Sequence, residues 1–141
     1  VYKCQGHNLA LHVLQSLQTI TYGILFNQSL ENVKLPSGLQ TITFGIPFNQ
    51  SLGNVTLTCG LQKLTFVISF NQRLENGTLP CNLQRITLGW EFNQVVVNVT
   101  VLSGLQTITL GIQFNQSLEN VTLPSGLRAF NFGRRLQLRS I

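Results

Sequence analysis

Cys4, His7 and His12, in the arrangement C-x2-H-x4-H, are the side chains whose types and spacing come nearest to a metal site. A structural zinc ion takes four such ligands. No nearby Cys, His or Asp supplies the fourth, so no metal is expected, with Cys4 in a core slot and both histidines on the surface. Hydrolytic chemistry asks for a nucleophile, a base and an acid that orients the base. Both histidines of the chain lie in this opening stretch, and its acids are Glu31, Glu75, Glu91 and Glu119. Glu31, Glu75 and Glu119 recur at one repeat position, which fits a solvated face better than a catalytic group. The glycines also recur as turn residues, leaving no glycine-rich loop for a phosphate. The chain is therefore expected to be no enzyme and to hold no cofactor.

The recurrence is the dominant signal. Phe-Asn-Gln begins at Phe26, Phe48, Phe70, Phe92 and Phe114, a step of 22 residues each time. Leu17, Leu39, Leu61, Leu83, Leu105 and Leu127 keep the same step at the head of units such as LQTITFG. A constant period of this length marks a solenoid or array. Counting back from Phe26 reaches Cys4, with Leu11 and Val13 in the places of Val33 and Leu35, and counting forward from Phe114 reaches Leu136. The whole of 1–141 is expected to be a single repeat array. Its coils fall at about 4–25, 26–47, 48–69, 70–91, 92–113 and 114–135, with a short basic tail at 136–141.

Within a unit, L-x-x-I-x-F (Leu39, Ile42, Phe44) is closed by Gly45, and L-x-x-V-x-L (Leu30, Val33, Leu35) is closed by Pro36. Both end in the alternation of a strand, so two short strands per coil are expected, with a turn at Pro36, Ser37 and Gly38. No window long enough for a helix lacks Gly, Pro or β-branched runs. A single coil cannot bury its own apolar face, whereas stacked coils set identical residues about 4.8 Å apart. The fold class expected is all-β, a right-handed parallel β-solenoid of about six 22-residue coils. Phe26, Phe48, Phe70, Phe92 and Phe114 should form an aromatic spine. Asn27, Asn49, Asn71, Asn93 and Asn115 should form an amide ladder that satisfies buried backbone groups. Cys59 and Cys81 share a slot in adjacent coils. Their Cα atoms should approach to roughly 5 Å, within disulfide range, but parallel side chains strain a bridge, so free thiols are expected.

The pattern L-P-x-x-L-x-x-I-x-F-G-x-x-F-N at 35–49 resembles the FNIP repeat, a 22-residue leucine-rich-repeat-like unit of large protist proteins. The resemblance covers nearly the whole chain. It departs at Phe-Asn-Gln-Ser (26–29), where the family name has Phe-Asn-Ile-Pro, at Val67 in a Gly slot, and at Thr58 and Leu102 in Pro slots. It implies a leucine-rich-repeat-like solenoid and, by analogy, protein binding, since a fold by itself names no ligand.

Charged residues make up only 9% of the chain, and its net charge is +5. Four of the nine cations, Arg128, Arg134, Arg135 and Arg139, lie in the last fourteen residues, a basic end rather than a basic face, so no nucleic acid is expected. No run of 18 apolar residues and no leader pattern is visible, so no membrane partner is expected either. Met is absent even at position 1, which predicts a chain trimmed by processing or cut from a longer one or a larger assembly.

Asn27, Asn49, Asn54, Asn76, Asn98, Asn115 and Asn120 begin N-x-[ST] sequons. The Asn27 type should point inward, leaving the Asn54 type as acceptors. Thr19/Thr21, Thr41/Thr43 and Thr107/Thr109 would form an outward Thr array like that of ice-binding solenoids, interrupted by Lys63 and Arg85. Two broader readings stand beside it: a non-enzymatic scaffold that binds a protein, and a purely structural segment of a longer array. The binding reading has one coil to point to. Around GWEFNQVVVNVTVL (89–102), Trp90 takes the slot of Ile24, Ile46, Ile68 and Ile112, and Val95 and Val97 take slots that are polar or glycine elsewhere. Trp90, Glu91, Val95, Val97 and Leu102, flanked by Arg73 and Arg85, are the candidate partner-binding residues. The alternative is that Trp90 fills the core of a widened coil.

Overall fold

The computed structural model describes residues 16–75, 78–96 and 102–133. Cys4, His7 and His12 and the tail at 136–141 lie outside the described residues. Six strands, β1 (Thr19–Thr21), β2 (Thr41–Phe44), β3 (Lys63–Phe66), β4 (Arg85–Thr87), β5 (Thr107–Thr109) and β6 (Ala129–Asn131), form one parallel sheet in chain order. The register is constant: Ile20 faces Ile42, Ile42 faces Leu64, Leu64 faces Ile86, Ile86 faces Ile108 and Ile108 faces Phe130. The chain is thus an all-β solenoid of stacked coils.

Each strand comes from the T-I-T-F segment because its alternation fits a sheet with one buried face. In β2, Ile42 and Phe44 are fully buried while Thr41 and Thr43 look outward. The segment ahead of each strand is locked by a shared acceptor. Gln40 N and Thr41 N both donate to Gln18 O, at 2.8 and 3.0 Å, and the same pair of bonds recurs onto Gln40, Gln62, Gln84 and Gln106. The expected turn before the strand is present as Leu39 N to Pro36 O at 3.2 Å. It persists where the Pro slot holds Thr58 (Leu61 N to Thr58 O, 3.0 Å) or Leu102 (Leu105 N to Leu102 O, 2.9 Å). The turn uses the carbonyl of that slot, and the proline ring is dispensable.

The second strand expected per coil does not form among the described residues. Leu30, Val33 and their repeats make a tight turn instead, closed by Val33 N to Leu30 O and Val55 N to Leu52 O, each at 3.0 Å, and Val121 N to Leu118 O at 3.1 Å. A backbone that spends its N–H groups within its own coil has none left for a ladder. Most of those apolar residues still reach the core: Leu30, Leu52, Leu74, Val55 and Leu57 are buried, whereas Val33 is exposed.

The aromatic spine forms as expected. Phe26, Phe48, Phe70, Phe92 and Phe114 stack with centroids 6.0, 6.2, 6.1 and 6.3 Å apart and planes within 10° of parallel. That separation exceeds the spacing of the coils, so the rings are offset, the arrangement their quadrupoles favour. A second column runs beside it: Tyr22, Phe44 and Phe66 stack at 5.1 Å per step. The two columns touch within a coil, at 4.0 Å for Phe44 with Phe48 and 3.8 Å for Phe66 with Phe70. Burial in this column raises the Tyr22 hydroxyl pKa.

The amide ladder is also present and does more than stack. Asn49 N donates to Asn27 Oδ1 at 2.9 Å, and the step repeats from Asn71 to Asn49, Asn93 to Asn71 and Asn115 to Asn93 at 2.8–2.9 Å. The next residue completes a clamp: Gln72 Nε2 donates to both Asn49 O (3.1 Å) and Asn49 Oδ1 (3.0 Å). Gln50, Gln94 and Gln116 do the same one coil on. These asparagines are not inward as expected: Asn49, Asn71 and Asn93 are half-buried, and Asn27 and Asn115 are exposed. Their carboxamides are occupied by the clamp. Asn54 and Asn120 are exposed, and Asn76 and Asn98 lie outside the described residues.

Phe70 sits at the centre of the spine with none of its surface exposed. Phe70→Ala is expected to lower the unfolding free energy by about 3–5 kcal/mol, read from the denaturation midpoint. An unchanged midpoint would mean that the ring does not support the core.

Candidate functional site

After each strand the chain turns tightly, and the coils approach one another most closely there. A Cβ on Gly45 would lie 2.5 Å from Gly23 O, which is why the slot demands glycine. Val67 breaks the rule and turns outward, with 43% of its surface exposed. The following slot forms a column of Ile24, Ile46, Ile68, Trp90 and Ile112. Its backbone is fixed from coil to coil: Ser69 N donates to Ile46 O (3.1 Å), Glu91 N to Ile68 O (2.9 Å) and Gln113 N to Trp90 O (3.1 Å). Trp90 N also donates to Val67 O at 3.4 Å.

On this rigid turn Trp90 is 51% exposed. An indole filling a widened core would be buried. Here one edge of the ring borders an open groove of about 190 Å³ that also takes in Val67, Thr87, Gly89, Ile112 and Gly133. The groove continues onto the outward face of the sheet, because Thr87 and Arg85 are two residues apart on one strand.

That outward face carries two columns. Thr21, Thr43, Thr65, Thr87 and Thr109 run unbroken to Asn131. The second runs Thr19, Thr41, Lys63, Arg85, Thr107 and Ala129. The register makes Lys63 and Arg85 direct neighbours, both exposed. Like charges directly opposite each other across a sheet are destabilising, so this pair works against the fold.

Arg73 and Val95 are also consecutive members of one column, further round the coil, and both are exposed. In the same slot Ser29, Ser51 and Ser117 accept the N–H two residues on, at 3.1, 3.1 and 3.2 Å. Arg and Val have no acceptor oxygen to offer, so two adjacent coils forgo this bond. Glu91 is half-buried and held through its backbone, and Val97 lies outside the described residues. Leu102 has to be corrected. It is only 3% exposed, in the hydrophobic core, because its slot is the inward end of the turn before the strand. The structure thus links Trp90 with Arg85, and Arg73 with Val95, in different columns of the coil.

Sequence reasoning missed Val67 and Ile112 as walls of the groove and Lys63 as the neighbour of Arg85. The signal for Lys63 was present, since it stands 22 residues before Arg85. Among the described residues no group of three or more His, Cys, Asp or Glu side chains is placed to hold a metal ion. Among them, too, no helix is long and apolar enough to cross a membrane.

Trp90 is the only tryptophan of the chain, so its fluorescence reports this site alone. Its emission is expected to be red-shifted toward that of indole in water and quenched by acrylamide. Blue-shifted emission resistant to quencher would place the ring in the core.

The family model described as FNIP Repeat matches residues 70–99, the coil that carries Trp90 and the start of the one after it. The crystal structure of CroV588, described as a novel circular LRR protein, superposes with a TM-score of 0.78 at 36% sequence identity. The superposition covers 84% of this chain and 18% of that one, so this chain spans less than a fifth of its length. No curated protein matches the chain. The constant 22-residue register, the FNIP match at 70–99 and the superposition on a leucine-rich-repeat protein together show a leucine-rich-repeat-like solenoid that carries a segment similar to the FNIP repeat.

Proposed function

We propose that this repeat scaffold binds a protein, and that the contact centres on Trp90. The observation that carries the reading is the half-exposed indole on a turn whose backbone is hydrogen-bonded to both neighbouring coils. Exposed aromatic anchors beside a groove, with arginine close by, are the usual centres of protein interfaces. A rigid backbone keeps the entropy cost of binding low. The partner presents an apolar side chain to the groove and carboxylates to Lys63 and Arg85, which would relieve the repulsion between them. Arg73 and Val95, where two coils forgo a turn hydrogen bond, extend the surface round the coil. Nothing in this reading calls for catalysis, nucleic acid or a membrane.

The uniform clamp at the Asn27, Asn49, Asn71 and Asn93 junctions favours the other reading, a structural arc of a longer array. The two readings separate by experiment. Trp90→Ile with Val95→Ser installs the residues that other coils use in those slots, so the variant is expected to fold with an equal or higher Tm. Capture of a protein from extract is expected to fall at least ~10-fold, and binding to the unaltered chain is expected to weaken with added salt. Undiminished capture by the variant would remove this coil from the interface. An unaltered chain that captures nothing would leave the structural reading.

A further inference from the structure

Cys59 and Cys81 occupy one slot of adjacent coils, in the middle of the turn before β3 and β4, and both thiols are exposed. The two turns are alike, closed by Leu61 N to Thr58 O at 3.0 Å and Leu83 N to Pro80 O at 3.1 Å. Their offset is pinned just beyond the cysteines, where Asn82 Nδ2 donates to Cys59 O at 2.9 Å and Gln84 N to Gln62 O at 2.8 Å. Stacking at about 4.8 Å brings the Cα atoms within the span that a disulfide bridges. Cys81 lies close enough to raise the pKa of the Cys59 thiol. Neither sulfur is needed by the turn, because the same slot holds Ser37, Ser103 and Ser125 in other coils.

We propose that Cys59 and Cys81 form a cross-coil dithiol site that reacts with low-molecular-weight disulfides and closes a reversible bridge between adjacent coils. One cysteine thiolate attacks a sulfur of the reagent, forming a mixed disulfide and expelling one thiolate. The second cysteine, deprotonated, attacks the protein sulfur of that mixed disulfide and expels the other thiolate. The pair loses two electrons and two protons, the reagent disulfide is reduced to two thiols, and one Sγ–Sγ bond is gained. The hydrogen bond with Cys81, then repulsion from its charge, then burial raise the pKa of Cys59. The thiolate is the nucleophile, so closure is slow at neutral pH and accelerates as the pH rises. The bridge staples the middle of the array, joining the coil that carries Trp90 to the one before it.

The test uses the full chain with Cys4→Ser, so that only the pair can react, incubated with oxidised glutathione at mildly alkaline pH. Intact mass is expected to fall by two hydrogens with no adduct retained. Peptide mapping should join the Cys59 and Cys81 peptides, and dithiothreitol should restore the original mass. Cys59→Ser and Cys81→Ser, each placing the residue of other coils in the slot, should instead keep one glutathione. Two glutathiones on the pair, unreacted thiols, or a disulfide-linked dimer would overturn the proposal.

Discussion

Each coil is held to the next by the side-chain oxygen of one asparagine, which accepts the backbone N–H of the following asparagine and the Nε2 of the following glutamine. Both bonds lie within 2.8–3.2 Å at the Asn27, Asn49, Asn71 and Asn93 junctions. Each neutral bond contributes about 0.5–1.5 kcal/mol net, and an orphaned buried partner costs more. The geometry tolerates no slip. A coil one residue longer would move its donor away from the carboxamide and rotate Phe out of the spine. Because Asn49, Asn71 and Asn93 each donate to one neighbouring coil and accept from the other, the coils they join must carry the same residues in those slots. The near-verbatim repetition of the chain follows from this homotypic bonding.

The same constraint shows where the sequence is free. Slots that feed the clamp, the spine and the turn before the strand hold nearly constant residues, even where Thr58 or Leu102 replaces Pro. Slots on the outward sheet face and on the turn after the strand vary, and they hold Lys63, Arg85, Val67 and Trp90. Two choices outside the constant slots cost the fold something: like charges set side by side on the sheet face, and a serine turn bond given up further round the coil at Arg73 and Val95. Departures from a local rule within an otherwise consistent repeat are where function is sought.

The period, the Phe spine and the Asn ladder were legible because a homotypic stack writes itself into the sequence as identity at a fixed step. The second strand was misread because L-x-x-V-x-L carries the apolar alternation of a strand, yet Val33 N and Val55 N bond within their own coils. Alternation reports which side is buried and says nothing about where the N–H groups go. Gln50, Gln72, Gln94 and Gln116 were as constant as their asparagines, but their double donation depends on backbone carbonyls that only the coil geometry brings near. Leu102 looked like part of an apolar patch because it stands with Trp90, Val95 and Val97 in the stretch that departs from the repeat pattern. Its slot was the better guide, since its backbone closes the same turn as Pro36 and Pro80.

The clamp is best tested at the backbone N–H groups of Asn71 and Asn93, which lie outside any strand and whose only protection is a side-chain oxygen one coil away. Residue-resolved hydrogen exchange measures their opening directly. If the asparagine oxygens hold the coils together, these two amides exchange as slowly as those of Leu64 and Ile86 in β3 and β4. Exchange as fast as in an exposed loop would contradict the account and leave the apolar core alone to set the register.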